Sequence, residues 1–283
     1  MKYPLLATDL DGTLLNDQKE IAIETIEAIQ EYRQRGGRVV ICSGRSPLST
    51  KWIASTIGLK SEPIIAYNGA ILIDENGEIS AQSVFSIESL INFWELCEAD
   101  GIYAHFYEGD TLLVPQVNKW NERWIENNIP TLESSGGSRQ NCEQFRQQCQ
   151  VKVIDDIYQY MKEQTPSITK IAVFDEKNKL HDFSKRIVDM EISSSFDFLN
   201  LEITPSGVTK ASALVKLTEK LGIPISQTAA IGDNYNDSLM LKTAGLGIAM
   251  GNAPEKVKQL ADQITGGNNE AGVAKAISRY LLE

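Results

Sequence analysis

Two blocks of alternating strand and helix patterns, one at each end of the chain, constrain its fold most. The first block has three short apolar strands and two helical patterns, the strands at 5–8, 38–42 and 63–67 and the helices at 20–35 and 47–57. The second block repeats this alternation, with strands at 229–232 and 246–250 and helices at 211–221, 236–244 and 273–280. Strands that alternate with helices form a parallel sheet with right-handed crossovers. Both ends of the chain therefore predict one α/β fold.

The region between these blocks has a different pattern. Its strands are short and lie in adjacent pairs, at 103–107, 111–114, 171–174, 191–195 and 199–203. Adjacent short strands favour an antiparallel sheet with helices on one face. We therefore predict a Rossmann-like parallel sheet formed by residues 1–82 and 208–283 and an inserted α+β domain at 83–207, with hinges near 81–83 and 205–207.

The composition predicts an acidic globular protein. With 27 Lys and Arg against 38 Asp and Glu, the chain has a formal net charge of -11. This charge argues against binding to nucleic acid or to a membrane surface. No apolar stretch approaches the ~20 residues of a membrane helix, and the apolar run at the amino end is too short for a signal peptide.

The cysteines and histidines lack the paired spacing of a zinc site. The four cysteines are Cys42, Cys97, Cys142 and Cys149. Unpaired thiols in a chain of 283 residues fit a reducing compartment better than a disulfide scaffold. We expect a cytoplasmic protein that is a monomer or a weak homo-oligomer.

The stretch Thr8-Asp9-Leu10-Asp11-Gly12-Thr13 places two carboxylates at the carboxyl end of the first strand. Open α/β sheets bind ligands at this edge, and Gly12 permits a sharp turn that brings Asp9 and Asp11 together. Carboxylates that lie close together repel each other, so the pair indicates a bound cation or a shared proton. A strand end followed by an ordinary Asp-Gly turn would contain the same residues.

Further polar residues follow other strands at the same predicted edge or begin a helix there. They are Ser43, Gly44, Asn68, Lys210, Asp233, Asn236 and Asp237. Because the carboxyl ends of parallel strands gather at one edge, this set can converge although it spans most of the chain. Carboxylates, a hydroxyl and a lysine suit a phosphate group bound together with Mg²⁺. The hypothesis is a magnesium-dependent site for a small phosphorylated metabolite.

In this order the motifs resemble the haloacid dehalogenase superfamily of aspartate-nucleophile phosphotransferases. The long insertion and the segment 232–237 resemble its Cof-type branch, which carries an inserted α+β cap. Further matching segments are Tyr67-Asn68-Gly69-Ala70, Gly207-Val208-Thr209-Lys210 and residues 265–274. The resemblance covers the whole chain. It implies magnesium-dependent hydrolysis of small phosphomonoesters through an aspartyl phosphate, with sugar phosphates as the leading substrate class.

The resemblance also implies a role for each matching residue. Asp9 is the expected nucleophile, and Asp11 the acid that protonates the leaving alcohol and then activates water, which needs a raised pKa. Mg²⁺ is expected on Asp9, on the backbone carbonyl of Asp11 and on Asp233. Asp237 is expected to orient Lys210, which neutralises phosphate charge, or to hold a water of the metal shell. Four residues are expected to bind the phosphate or the substrate: Ser43, Gly44, Asn68 and Asn236.

Two other functions stay open at the level of sequence. A sugar phosphomutase would use the same aspartates, but its cap would need basic residues gathered over the site. The basic residues of the inserted domain show no compact motif: Lys119, Arg123, Arg139, Arg146 and Lys152. A catalytically silent phospho-ligand sensor would have no need to retain Asp9 and Asp11. Hexose phosphates, pyridoxal phosphate and flavin mononucleotide are all compatible with a phosphatase.

Several residues have a structural explanation that competes with a functional one. Arg45, after the second strand, fits an ion pair better than a catalytic role. Asn68 is either a substrate contact or a turn residue before Gly69. Packing within the inserted domain explains four ring-bearing residues better than a substrate-binding surface does: His105, Phe106, Trp120 and Trp124.

Overall fold

The computed structural model describes residues 1–122, 150–194 and 200–282. Its strands are β1 (Leu5–Thr8), β2 (Arg38–Cys42), β3 (Ile64–Ala66), β4 (Ile71–Ile73), β5 (Ile79–Gln82), β6 (Tyr103–Glu108), β7 (Thr111–Val114), β8 (Gln150–Val153), β9 (Ile168–Phe174), β10 (Met190–Ser194), β11 (Asn200–Pro205), β12 (Thr228–Gly232), β13 (Leu246–Ala249) and β14 (Gln263–Ile264). The described helices are α1 (Ile23–Gln34), α2 (Pro47–Thr56), α3 (Ile87–Asp100), α4 (Ile157–Gln164), α5 (Lys177–Ser184), α6 (Lys210–Leu221), α7 (Ser238–Thr243), α8 (Glu255–Lys258) and α9 (Gly272–Ala276).

The first sheet, which we name the core sheet, has the strand order β14-β13-β12-β1-β2-β3-β4-β5. The strands from β14 to β3 are parallel to one another. Apolar side chains alternate between the two faces of the sheet. Leu6 and Ile41 pack with α1 and α9 on one face, and Leu5 and Val40 pack with α6 and α7 on the other. The predicted parallel α/β fold is therefore confirmed.

β4 and β5 extend the core sheet in the antiparallel direction and were absent from the predicted elements. Two Asn-Gly pairs, at 68–69 and 76–77, mark the turns before and after β4. Gly77 has a φ of 82°, which glycine adopts without strain. Asn-Gly between short apolar runs is a hairpin signal, so the sequence did contain the information.

The helices differ from their predicted ranges mainly at the ends. α1 begins at Ile23 rather than at residue 20 because the backbone of Ala22 is extended, with a φ of -60° and a ψ of 142°. The pattern at 236–244 divides into a 3₁₀ turn, Tyr235–Asp237, and α7. The last helical pattern divides into α9 and a π-helical turn, Ile277–Leu281. Among the described residues, none of the helices combines the length and the apolarity needed to span a membrane.

The second sheet, which we name the cap sheet, has the strand order β10-β11-β9-β6-β7-β8. Its neighbours are antiparallel except β7 and β8, which are parallel, so the prediction of an antiparallel sheet is wrong at this edge. Helices α3, α4 and α5 cover one face, where Phe93, Phe106 and Phe183 belong to one buried cluster. The chain leaves the core sheet after β5 and returns to it at β12.

The other face of the cap sheet, which we name the pocket face, follows from the strand register. Residues directly opposite each other on antiparallel strands project to the same side. His105 lies opposite Ala172, and Ala172 lies opposite Glu202. The same register places these residues on the pocket face: Tyr103, His105, Tyr107, Leu112, Lys170, Ala172, Phe174, Ser193, Asn200 and Glu202.

His105 is buried on this face between two tyrosines of the same strand. Its ring lies 5.8 Å from the ring of Tyr103 and 5.2 Å from the rings of Tyr107 and Phe174. Burial and, to a smaller extent, the charge of Lys170 together lower the pKa of His105 to about 3. The interpretation of His105 as a packing residue agrees with this position.

The buried, neutral state of His105 predicts a specific loss of stability in acid. The unfolded chain protonates His105 below about pH 6.5 while the folded chain does not, so stability falls with decreasing pH. Between about pH 7 and about pH 5, this proton should cost about 2 kcal/mol of unfolding free energy. A His105→Gln variant should therefore be less acid-sensitive than the parent in denaturation series. His181→Gln, which removes the exposed histidine of α5, is the matched control; parallel curves for the parent and His105→Gln would contradict the prediction.

Candidate active site

Strands β1, β2 and β12 end at one edge of the core sheet and bring the predicted site residues towards each other. The Asp9 N–H donates to the Ile231 carbonyl at 2.9 Å, which couples the end of β1 to β12. The Ser43 N–H donates to the Ile65 carbonyl at 2.8 Å, which does the same for β2 and β3. Lys210 enters this edge as the first residue of α6.

Lys210 is the centre of the constellation and is 1% exposed. Its Nζ donates to Asp9 Oδ1 at 2.5 Å and to Asp237 Oδ1 at 2.7 Å. Burial lowers the pKa of Lys210, but the charges of Asp237 and Asp9 outweigh it and raise the pKa above the usual range. Within the described residues, the hydrogen bond to the Asp9 carboxylate falls on Oδ1.

Three carboxylates form a cluster that fits a divalent cation. Asp9, Asp233 and Asp237 each offer an oxygen within 4.8 Å of the others. Burial and then repulsion from Asp237 raise the pKa of Asp9 well above its usual range and the pKa of Asp233 to about 7. Only the ammonium of Lys210, among the described cations, forms an ion pair with this cluster. The remaining excess of negative charge and the all-oxygen donor set suit Mg²⁺.

Asp237 is the least suited of the three to bind a metal directly. Its Oδ1 accepts from Lys210, and its Oδ2 accepts from the N–H groups of Asp233 and Asn234, both at 3.0 Å. The side chain is fully buried. Of the two roles expected for Asp237, its contacts favour the orientation of Lys210. The carboxylates of Asp9 and Asp233 are better placed than that of Asp237 to contact a cation directly.

Gly12, Thr13 and Asn252 hold Asp233 in place. Thr13 Oγ1 donates to Asp233 Oδ1 at 2.8 Å, and Asn252 Nδ2 donates to the Gly12 carbonyl at 2.9 Å. Gly12 has a φ of +79°, and a Cβ there would lie 2.4 Å from Asp233 Oδ2. Both the backbone angle and the close approach require glycine. Thr13 lies in the motif that the sequence indicated, whereas no pattern pointed to Asn252.

Asp11 forms ion pairs with two cations. Arg45 donates from Nε to Asp11 Oδ2 at 2.6 Å and from Nη2 to Oδ1 at 2.7 Å, and Lys19 Nζ donates to Oδ1 at 2.9 Å. Burial raises the pKa of Asp11, but these two charges outweigh it and hold the pKa well below its usual range. The expectation of a raised pKa is therefore wrong for this arrangement. Arg45 makes the ion pair that the sequence favoured, while no sequence signal identified Lys19.

Ser43, Asn68 and Asn236 are joined by hydrogen bonds beside the carboxylates. The Asn68 N–H donates to the Ser43 carbonyl at 2.9 Å, and Asn236 Nδ2 donates to Asn68 Oδ1 at 3.0 Å. Tyr67 and Asn68 have left-handed φ values of 48° and 54°. Such strained residues cluster at functional sites. Asn68 thus combines the turn role and the side-chain role that the sequence left open.

Lys170 and Glu202, on the pocket face, contact the core next to these residues. Lys170 Nζ donates to the Gly44 carbonyl at 2.7 Å and forms a short ion pair with Glu202. Glu202 Oε2 accepts from Asn68 Nδ2 at 2.7 Å. A Cβ on Gly44 would lie 2.7 Å from Glu202 Oε2, so this contact needs glycine. Strand periodicity groups the two cap residues on one face, but the sequence alone does not tell which face meets the core.

The core edge and the pocket face enclose a cavity of about 470 Å³. The core contributes polar groups to its wall: Asp9, Asp11, Ser43, Gly44, Arg45 and Asn236. The cap side combines the rings of Tyr107, Trp120 and Phe174 with polar and charged side chains, including Ser193 and Lys170. Trp120 stacks on Phe174 with ring centroids 6.4 Å apart. Phe106 belongs to the packed cluster as expected, but Trp120 lines the cavity; Trp124 lies outside the described residues.

The basic residues weighed for a mutase are only partly described. Lys119 Nζ lies 4.5 Å from the ring of Trp120, and Lys152 Nζ lies 4.7 Å from the ring of Tyr160. Lys119 is exposed next to the cavity wall, and Lys152 is exposed on β8. The three arginines of that set lie outside the described residues: Arg123, Arg139 and Arg146.

Comparison with known proteins identifies relatives over almost the full length of the chain. The family model of haloacid dehalogenase-like hydrolases matches residues 6–277. A 5-amino-6-(5-phospho-D-ribitylamino)uracil phosphatase of Bacillus subtilis is 33% identical over 279 residues, which cover 98% of this chain and 96% of that protein. A further phosphatase of B. subtilis is 29% identical over 290 residues, covering 98% and 99% of the two chains.

A solved structure agrees with these sequence matches. A haloacid dehalogenase-like hydrolase from B. subtilis superposes with a TM-score of 0.82 at 27% identity. The superposition covers 98% of this chain and 100% of the other. Both sheets described above therefore belong to a shared fold.

Removal of the buried ammonium should destabilise the protein markedly. In Lys210→Met, two buried carboxylates lose their shared cation, and breaking such a pair typically costs about 3–5 kcal/mol. Metal-free protein should show this loss in chemical denaturation. Lys216→Met, on the exposed side of the same helix, is the control. Equal stability of the two variants would show that Lys210 does not hold the cluster together.

Proposed function

The chain belongs to the haloacid dehalogenase-like hydrolase family and is a phosphatase, and we propose that it hydrolyses small phosphomonoesters through an aspartyl phosphate on Asp9. The observation that carries the proposal is the position of Asp9. Its carboxylate lines the cavity, is held by Lys210 through Oδ1 and lies beside Asp233. Residues 1–82 and 208–283 would form the catalytic core, and residues 83–207 the cap.

In the first proposed step, Asp9 Oδ2 attacks phosphorus. A P–O bond forms to Asp9, the bond to the leaving oxygen breaks, and that oxygen needs a proton. Lys210 orients the nucleophile and offsets its repulsion from the phosphate dianion. Ser43, the backbone of Gly44 and Asn236 would bind the phosphate oxygens, because all three line the same wall of the cavity as Asp9.

Asp11 is the proposed acid of the first step and base of the second. Its ion pairs with Arg45 and Lys19 favour the ionised form, which is the form that accepts a proton from water. Water then attacks phosphorus, the bond to Asp9 breaks, and inorganic phosphate leaves. To donate a proton in the first step, Asp11 must be less strongly paired. A bound phosphate offers Arg45 and Lys19 an alternative anion, since both line the cavity.

Asp9 and Asp233 are the proposed metal ligands, with the backbone carbonyl of Asp11 as a third. A divalent cation bound there, proposed to be Mg²⁺, would polarise the phosphoryl oxygens as a Lewis acid. Thr13 and Asn252 support the ligand set through Asp233 and Gly12.

The cap side of the cavity supports a substrate with a sizeable leaving group. A volume of about 470 Å³ lies in the ~300–1,000 Å³ range of small-molecule pockets. Ser193 adds a hydroxyl to this side, and Trp120 and Phe174 offer ring surfaces. We propose sugar or sugar-alcohol phosphates, including esters that carry a ring such as the ribitylaminouracil phosphate named for the B. subtilis relative.

The decisive test is phosphate release from a panel of phosphomonoesters by the parent protein and by Asp9→Asn. The panel contains a hexose 6-phosphate, pyridoxal phosphate, flavin mononucleotide and 5-amino-6-(5-phospho-D-ribitylamino)uracil. The amide keeps the shape of the side chain but removes its nucleophilic charge, so turnover should fall at least about 10³-fold. Asp155→Asn, at an exposed position of the cap, is the control. Turnover that survives in Asp9→Asn would overturn the proposed nucleophile, and an isomerised product without free phosphate would indicate a mutase.

The metal assignment predicts a binding defect in Asp233→Asn. Mg²⁺ should raise the melting temperature of chelator-treated parent protein because it neutralises buried carboxylates. Asp233→Asn should need at least about tenfold more Mg²⁺ for the same shift, since one charged ligand is lost. Calorimetric titration measures this independently of activity. Unchanged Mg²⁺ affinity in the variant would place the cation elsewhere.

A further inference from the structure

Two charged side chains of the pocket face contact the core. Lys170 on β9 donates to the Gly44 carbonyl at 2.7 Å, and Glu202 on β11 accepts from Asn68 Nδ2 at 2.7 Å. Lys170 and Glu202 also form an ion pair with each other. Gly44 follows β2, and Asn68 follows β3. One ion pair of the cap is therefore bonded to two loops of the core, beside the end of the cavity proposed to bind phosphate.

The hydrogen bond from Lys170 determines how the peptide group between Gly44 and Arg45 is oriented. This peptide is trans, so its carbonyl and its N–H point in opposite directions. The carbonyl faces Lys170 Nζ, and the N–H donates to Ser43 Oγ at 3.1 Å. The ammonium of Lys170 thus acts on the Ser43 hydroxyl through a single peptide group.

Ser43 can transmit this effect to a bound phosphate. A serine hydroxyl has one hydrogen and two lone pairs, so a bond accepted by its oxygen leaves the hydrogen to be donated elsewhere. Within the described residues, the hydroxyl hydrogen of Ser43 has no acceptor. Ser43 lines the cavity, where a phosphate oxygen would be a suitable acceptor. Polarisation of the peptide by the ammonium would strengthen that bond.

Glu202 has a comparable effect on two side-chain amides. A paired carboxylate accepts hydrogen bonds and donates none, so Asn68 must direct its nitrogen to Glu202 and its oxygen away. Asn68 Oδ1 accepts from Asn236 Nδ2 at 3.0 Å, which in turn determines the orientation of the Asn236 amide. Asn236 lines the cavity, and its Nδ2 has a second hydrogen for a ligand. Without the carboxylate, both amides could reverse.

We propose that Lys170 and Glu202 are a pair of positioning residues through which the cap orients Ser43 and Asn236 for phosphate binding. The inference rests on the proposed phosphatase function and assigns the cap a part in holding the phosphate. Neither charged side chain needs to contact phosphate, because each acts through a residue of the core. Displacement of the cap would break both contacts together, since the two side chains are bonded to each other. The phosphate affinity of the core therefore depends on the position of the cap.

Inorganic phosphate measures this effect without turnover. Calorimetric titration in the presence of Mg²⁺ gives the phosphate affinity of the parent. Lys170→Met and Glu202→Gln should each lower this affinity about tenfold, the effect of one weakened charge-assisted hydrogen bond. Lys162→Met and Glu163→Gln, at exposed positions of α4, are the matched controls. Unchanged phosphate affinity in Lys170→Met and Glu202→Gln would overturn the proposal.

A double variant separates positioning from a loss of stability. Each single substitution leaves one largely buried group without its partner, so both variants should unfold at lower denaturant concentrations than the parent. Lys170→Met/Glu202→Gln removes both charges and should regain stability. Its phosphate affinity should stay about tenfold below that of the parent, because the Gly44 carbonyl still lacks its donor. Recovery of phosphate affinity together with stability would indicate a structural role and contradict the proposal.

A double-mutant cycle tests the route from Lys170 to phosphate. Ser43→Ala removes the hydroxyl that the peptide orients, so Lys170→Met should add little further loss of phosphate affinity in that variant. Additive losses would show that Lys170 does not act through Ser43 and would contradict the proposal.

Kinetics with two leaving groups distinguish phosphate positioning from a contact to the leaving group. Lys170→Met should lower kcat/KM by the same factor for acetyl phosphate and for the panel substrate that the parent hydrolyses best, since both contain the phosphate. A loss confined to the larger substrate would overturn the proposal. Failure of the proposed function would appear separately, as turnover that does not depend on Asp9, while phosphate titration would still test the ion pair.

Discussion

A buried ammonium between two carboxylates holds the candidate site together. Lys210 joins Asp9, at the amino end of the chain, to Asp237, which follows β12. None of the three could be buried alone, because an isolated charge in the interior costs far more than one interaction returns. The positions of β1, of β12 and of α6 at this edge are therefore chemically interdependent. Asp233 and the proposed metal site depend on the same cluster, since Asp237 accepts a hydrogen bond from the backbone N–H of Asp233.

The cap and the core contribute different kinds of side chain to the wall of the cavity. Core residues supply charged groups at the end of the cavity proposed to bind phosphate, whereas the pocket face supplies ring surfaces and polar side chains. Lys170 and Glu202 belong to the cap but contact the core. They neutralise each other, and they bond to Gly44 and Asn68 of the core. The cap therefore contacts the core beside the end of the cavity proposed to bind phosphate. A different leaving group at the other end of the cavity need not disturb that contact.

The sequence predicted the parallel sheet and the convergence of the acidic motifs because both depend on local periodicity and on strand ends. The amino-acid sequence sufficed to place Asp9 and Lys210 at one sheet edge, but the ion pair between them was not predicted. The protonation state of Asp11 was misjudged, because it depends on Lys19 and Arg45, which reach it from separate loops. The cap residues that line the cavity could not be predicted either, since periodicity gives the two faces of a strand but not what covers each face.

The link between β11 and α6 has a mechanical consequence. Four residues separate Pro205, at the end of the cap sheet, from Lys210. Any displacement of the cap relative to the core would strain this short connection. Such strain would move Lys210 away from Asp9 and Asp237. Thr209 resists this movement through two contacts. It caps α6 through Ser212, and its carbonyl oxygen packs so closely on Gly69 that a Cβ added to Gly69 would lie 2.2 Å from that oxygen. The connection is thus fixed at Thr209, immediately before Lys210. Gly207, with its φ of 71°, lies on the cap side of Thr209.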